Sequence, residues 1–172
     1  MPIDTTLPFR PVRLAVLTVS DTRTLADDTS GAALASRAEE AGHHVVRRQI
    51  LPDDRDLLVA CFRAWLDDPE VEVILSTGGT GVTRRDVTPE AVLAVADKEI
   101  PGFGELFRWQ SYAHIKTSTI QSRALAVVAS GKLIFALPGS TGAVKDAWDG
   151  ILRDQLDVRH RPCNFVELFS RM

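Results

Sequence analysis

A mainly apolar run, Val71–Leu75, empties into Ser76-Thr77-Gly78-Gly79-Thr80-Gly81-Val82-Thr83-Arg84-Arg85-Asp86, with three glycines inside four positions. Residues without a Cβ let backbone amides close around an anion. The start of the following helix, opened by Thr88-Pro89-Glu90, favours negative charge. A strand that feeds such a loop into a helix points to an open α/β sheet with its ligand at the carboxyl ends of the strands. We read the loop as phosphate-handling, with a carboxylate placed to hold a metal. Glycine-rich turns also serve as plain connections, so the loop by itself leaves both readings open.

The flanking segments set the fold class. Pro2, Pro8 and Pro11 make residues 1–11 an extended N-terminal arm, suited to packing on a neighbour. Val12–Ser20 reads as a buried strand, followed by helix caps at Asp27-Asp28-Thr29-Ser30 and a helix to Gly42. His43–Leu51 is a second strand whose histidines and arginines suit a sheet edge or one solvated face. Pro52-Asp53 opens a helix with Leu57, Leu58, Cys61, Phe62 and Trp65 at helical spacing, and Pro69 stops it. Val71–Ser76 is the third strand and Thr88–Ala96 a short helix. Pro101-Gly102-Phe103-Gly104 reads as a connection before a helical stretch, Glu105–Tyr112. Ala124–Ala129 and Leu133–Leu137 flank Ser130-Gly131-Lys132 as a β-hairpin, and a last helix covers about Gly142–Leu156. Alternating strands and helices predict an α/β fold, a three-layer α/β/α sandwich. Its sheet is mostly parallel, with an antiparallel strand from the late hairpin. Residues 12–157 form the domain and 158–172 a tail packed on it or on a neighbouring subunit.

Composition narrows the partners. A chain of 172 residues, 45% hydrophobic and 25% charged, suits one globular domain rather than a disordered segment. A net charge of −3 gives no reason to expect nucleic acid, so a phosphate site has to be local. Cys61 and Cys163 are too few and too far apart for a disulfide framework or a zinc motif, and Cys61 reads as a core residue. The N-terminus lacks a basic region followed by an apolar stretch, and Ala124–Pro138 is broken and too short for a bilayer. No membrane partner and a cytoplasmic location are expected.

A second turn, Leu137-Pro138-Gly139-Ser140-Thr141-Gly142, repeats the order strand, small residues, helix start. Two such turns at the carboxyl ends of strands can face one crevice; an ordinary turn with Ser140 as N-cap fits equally. Asp86 beside phosphate-binding amides suits magnesium, which takes one or two carboxylates and completes its shell with phosphate and water. A salt bridge to Arg84 or Arg85, or a cap for the Thr88 helix, is the plainer account. Asp53 follows a strand at a helix start, where capping alone explains an aspartate. Ser118-Thr119-Ile120-Gln121-Ser122-Arg123 offers hydroxyls, an amide and a guanidinium to an anion, or simply ends a helix. His43, His44, His114 and His160 lack metal spacing.

Taken together, Thr77–Ala91, Leu17-Thr18-Val19-Ser20-Asp21, Asp28-Thr29-Ser30-Gly31, Pro101–Glu105 and Leu137–Ser140 resemble the signature of the molybdenum cofactor biosynthesis proteins that bind molybdopterin. Thr117–Arg123 and Arg161-Pro162-Cys163-Asn164-Phe165 resemble the protein B branch. The likeness runs from about Arg13 to the tail.

That resemblance implies an α/β/α domain assembled as a trimer or larger, such as a hexamer, with other cofactor-pathway proteins as further partners. Active members, including gephyrin-type G domains, adenylylate molybdopterin with magnesium ATP and release pyrophosphate. Carried over residue by residue, Asp53 and Asp86 become the catalytic and magnesium-binding acids. Thr77, Gly78, Gly79, Thr80, Gly81, Pro138, Gly139 and Ser140 would hold nucleotide and phosphate groups, and Ser20, Asp21, Ser122 and Arg123 the pterin. The family commonly has glycine where this chain has Lys116 and Val127. A positive φ or close ligand approach at either would alter the site. A catalytically inactive pterin-binding or scaffolding protein is therefore the alternative.

Overall fold

The computed structural model describes residues 3–172, so Met1 and Pro2 of the expected arm lie outside it. Six strands form one sheet in the order β2-β1-β3-β6-β5-β4: β1 is Arg13–Val19, β2 His44–Leu51, β3 Val73–Thr77, β4 Lys98–Glu99, β5 Leu125–Ala129 and β6 Lys132–Leu137. The neighbours β2, β1, β3 and β6 run parallel; β5 is antiparallel to β6, and β4 to β5. This is the expected mostly parallel sheet with a hairpin, and β2 takes the expected edge.

The inner strands β1, β3 and β6 are buried on both faces, which is why they read as near-continuous apolar runs, whereas at the edges β2 is partly exposed and β4 exposed. Leu14 and Val16 of β1 join Val73, Leu75, Leu133 and Phe135 in one core layer. That layer is covered by α1 (Thr29–Glu40), α4 (Pro101–Ile115) and α5 (Thr141–Ala147). The alternate residues Ala15, Leu17, Ile74 and Ile134 face α2 (Arg55–Asp67) and α3 (Thr88–Leu93) through Leu58, Phe62 and Val92. Two cores separated by a sheet make the three layers.

Several local expectations shift. The segment Pro101-Gly102-Phe103-Gly104 is the first turn of α4, with Pro101 at the position where its missing N–H costs nothing. The last helix is interrupted by a π turn at Trp148–Leu152 before α6 (Arg153–Gln155). There the Asp146 carbonyl, which a regular helix offers to Gly150, accepts a hydrogen bond from Gln110 Nε2 of α4 at 3.1 Å. Cys61 is only partly buried, and that burial pushes its thiol up to about 11. The arm lies on its own chain: Ile3 bridges His160, the Asp4 N–H donates to the Arg159 carbonyl, and Phe9 stacks near His43. The tail also packs inward, through Val166 and through Phe165 edge-on to Phe135.

Candidate functional site

Strand order decides where a ligand can sit. The chain leaves β1 towards β2 on one side and returns to β3 on the other, so the carboxyl ends of β1 and β3 flank a topological switch. Register aligns those ends, with Thr18 opposite Thr77 and Thr77 opposite Leu137. The three loops that follow β1, β3 and β6 therefore leave one edge of the sheet together.

The two glycine-bearing turns touch. Gly78 N–H donates to the Leu137 carbonyl at 3.0 Å, and Thr77 Oγ1 donates to the Pro138 carbonyl at 2.8 Å. A Cβ on Gly139 would come within 3.3 Å of Gly78 Cα. Gly78 has φ 105° and Gly79 φ 63°, and a Cβ on Gly78 would collide with the Val19 carbonyl. Only glycine fits this passage. The start of α3 locks it from below: Thr88 Oγ1 donates to the Gly78 carbonyl at 2.9 Å and Thr88 N–H to the Gly79 carbonyl at 3.1 Å.

Above the turns opens a cavity of about 610 Å³. Thr77, Gly78, Gly79, Thr80 and Gly81 line it, and so do Pro138, Gly139 and Ser140, together with Ser20, Ser122 and Asp86. Ser140 also caps α5, accepting from Ala143 N–H at 3.3 Å, so the capping and lining roles coexist. Asp53, Asp21 and Arg123 do not line the cavity.

Asp53 lies behind the first turn. Its Oδ1 is buried without a hydrogen-bond partner, and a Cβ on Gly79 would lie 2.5 Å from that oxygen. Burial, then the charges of Asp21 and Asp86, hold its carboxyl above the ordinary range, against Arg85. The Asp53 and Asp86 carboxylates thus lie close enough for each charge to be felt at Asp53. Asp21 supports this group from outside: it accepts from Asp53 N–H at 3.2 Å and pairs with Arg85.

Asp86 closes its own loop. Its Oδ2 accepts from Thr83 N–H at 2.8 Å and Thr83 Oγ1 at 2.6 Å. Burial raises its carboxyl, but the Thr83 hydroxyl and N–H, the Gly81 N–H and the Arg123 charge outweigh it and leave the value lowered. Among the described residues no group of three or more His, Cys, Asp or Glu gathers as a metal nest. Magnesium needs only one or two carboxylates beside phosphate oxygens, and the orphaned Asp53 oxygen with Asp86 fits that requirement.

Arg123, expected on the pterin, is directed to the loop. Its N–H donates to the Thr80 carbonyl at 2.9 Å, Nε to the Gly81 carbonyl at 2.6 Å and Nη2 to the Asp86 carbonyl at 2.8 Å, while Nη1 pairs with Glu90. The guanidinium braces the segment that carries Asp86.

The cavity also uses residues that the candidate assignments leave out. Asp28, 3% exposed, accepts from Thr18 Oγ1 at 2.8 Å, Gly31 N–H at 2.9 Å and Arg48 at 3.0 Å. It caps α1 and lines the cavity. Ser30 Oγ donates to the Gly139 carbonyl at 2.7 Å, tying α1 to the second turn. The sequence shows Asp27–Ser30 as helix caps and Asp28-Thr29-Ser30-Gly31 as part of the family signature, but neither reading gives these residues a place in the site. Phe107, Ser111 and Ile115 of α4 form the far wall. Lys116, just beyond, holds φ 52° and does not line the cavity. Val127 is a fully buried β5 residue.

The sequence matches a family model described as "Probable molybdopterin binding domain" over residues 15–158. It is 53% identical over 157 residues to molybdenum cofactor biosynthesis protein B of Escherichia coli (strain K12), covering 91% of this chain and 92% of that protein. A crystal structure of molybdenum cofactor biosynthesis protein B superposes with a TM-score of 0.83 at 44% identity, covering 86% of this chain and 92% of that one. The tungsten cofactor synthesizing protein MoaB from Pyrococcus furiosus superposes with a TM-score of 0.73 at 36% identity, covering 84% and 92%. The chain belongs to the molybdopterin-binding domain family, on its molybdenum cofactor biosynthesis protein B branch.

Proposed function

We propose that this protein acts in molybdenum cofactor biosynthesis by adenylylating molybdopterin with magnesium ATP. The terminal phosphate of molybdopterin attacks the α-phosphorus of ATP. The new phosphorus–oxygen bond replaces the bond to pyrophosphate, which leaves with its electron pair. The carrying observation is the contact of the two glycine turns around one cavity, with Asp86 on its wall and the unpartnered Asp53 oxygen behind Gly79. Backbone amides of Gly78–Gly81 would receive nucleotide phosphates, and Pro138–Ser140 the adjoining phosphate. Ser20 and Ser122 border the pterin end, while Asp21 and Arg123 support it through other residues. Asp53 and Asp86 would hold magnesium, which supplies charge neutralisation on the polyphosphate when bound. The chain's contribution is alignment: a rigid floor, fixed turns and two oriented carboxylates.

Incubating the protein with molybdopterin, ATP and magnesium should yield adenylylated pterin and pyrophosphate. Asp86→Asn should lower turnover by at least about 100-fold and leave pterin binding nearly intact. Phosphate release without a pterin acceptor would mark a hydrolase instead. A pterin-binding scaffold without turnover is the second reading, and the position of Asp53 outside the cavity lining favours it. Binding of molybdopterin with no magnesium-dependent ATP binding would establish that reading.

Self-association, as a trimer or hexamer, belongs to the same proposal, as do a cytoplasmic location and contacts with other pathway proteins. Among the described residues no helix is long and apolar enough to cross a membrane. Arm and tail are engaged on their own domain, whereas α4 and the turn after it expose Leu106, Trp109, Tyr112, Ile115 and Ile120. A second copy seated there would also wall the cavity, because Ile115 belongs to both surfaces.

A further inference from the structure

A cavity that receives several phosphate charges needs cationic side chains, and this one has a single candidate. Among the described residues that line it, the charged ones are Arg23, Asp28 and Asp86. Asp28 is already answered by Arg48. Arg84, on the glycine loop, is exposed but does not line the cavity, and the remaining basic groups near this edge have internal partners. Arg123 is committed to loop carbonyls and Glu90, and Arg85 to Asp21. Lys116 Nζ donates to the Ala113 carbonyl at 3.1 Å and lies over the Tyr112 ring.

Arg23 differs from all of them. It is exposed, on the loop after β1, and its own N–H donates to Ser20 Oγ at 3.2 Å. One guanidinium nitrogen, Nη1, donates to the Asp27 carbonyl at 2.9 Å. The rest of the five-donor fork remains for a ligand. The loop that presents it is fixed by its own hydrogen bonds: Thr24 N–H and Oγ1 both donate to Asp27 Oδ1, at 2.6 and 2.9 Å. A planar cation held this way is preorganised for bidentate contact with a phosphate.

We propose that Arg23 is the ligand-facing arginine of the cavity and binds a phosphate group of the substrate, the role that the family resemblance implies for Arg123. The inference rests on the phosphate-binding reading of the cavity. The phosphate is either part of the nucleotide's polyphosphate or the monoester of the pterin, and both present the same oxygens.

Calorimetry on the full chain separates these sources. Wild type, Arg23→Ala, Arg23→Lys and Arg23→Glu would each be titrated with magnesium ATP, inorganic pyrophosphate and molybdopterin. Arg23→Ala should weaken at least one ligand by on the order of 10-fold, Arg23→Lys by less and Arg23→Glu by more. The melting temperatures should stay unchanged, since the side chain is exposed. Losses confined to ATP and pyrophosphate assign Arg23 to the nucleotide; a loss confined to molybdopterin assigns it to the pterin monoester. If wild type binds these ligands and all three variants bind them within twofold of it, the role of Arg23 is overturned while the cavity reading stands. If wild type binds none of them, the cavity reading itself fails and the inference goes with it.

Discussion

Asp53 carries a carboxyl that burial and two acidic neighbours hold above the ordinary range, with one buried oxygen left without a partner. An acid whose folded-state value is raised favours the folded state at low pH, and that contribution is lost as pH rises through the folded value. Where Asp53 is ionised it therefore costs stability. Asp53→Asn should raise the stability of the ligand-free protein above the pH at which Asp53 titrates, while abolishing turnover. The gain should vanish as pH falls through the titration of Asp53, which denaturant midpoints across that range would show. An equal or lower stability above that range would overturn the charge cost assigned to Asp53. Lys116 carries strain of another kind. At φ 52° and ψ −136° a Cβ costs on the order of 1 kcal/mol, so Lys116→Gly should raise the melting temperature. Because Lys116 does not line the cavity, kcat should stay unchanged. A large gain in turnover would instead show that lysine had impaired the site.

At the scale of elements, the loop between β3 and α3 depends on a segment that follows it by some forty residues. Arg123 reaches the Gly81 and Asp86 carbonyls and pairs with Glu90 on α3, so one fork fixes both ends of the loop. Lysine has the charge but not the fork. Arg123→Lys should lower kcat by about 10-fold or more while the dissociation constant for molybdopterin stays within twofold. A selective loss of pterin affinity with kcat intact would return Arg123 to the pterin. This residue also shows where sequence reading stops. The strand Val73–Thr77, its glycine turn and the helix after it were legible because periodicity and turn chemistry are local. So was the β5–β6 hairpin, whose Ser130 and Gly131 both take positive φ. The direction of a long side chain is set by partners 33 to 42 residues away, and no local pattern records it. For the same reason β4, two residues long and defined only by pairing with β5, carries no periodicity to read. The π turn is likewise dictated by Gln110, a residue of another helix.

For the whole molecule, apolar surface remains after the chain has folded. The two cores account for the buried faces of β1, β3, β5 and β6, and the tail covers the end of one of them through Phe165 and Val166. What is left is concentrated on α4 and the turn beyond it, with Trp109 at 77% and Ile120 at 82% exposure. A helix of a one-copy protein shows polar residues on its outer face, and a contiguous apolar patch on that face marks an interaction site. Tryptophan is the residue type that most often dominates such contacts, at about 2 kcal/mol or more per side chain. Trp109→Glu places a charge at the middle of the patch without touching either core. Sedimentation velocity should show the wild type as an assembly of identical subunits and the variant shifted to monomer at the same concentration, with an unchanged far-ultraviolet spectrum. Because Ile115 lines both patch and cavity, the dissociated variant should also lose ligand affinity, although Trp109 itself does not line the cavity. An assembly that survives Trp109→Glu would place the subunit contact elsewhere on the surface.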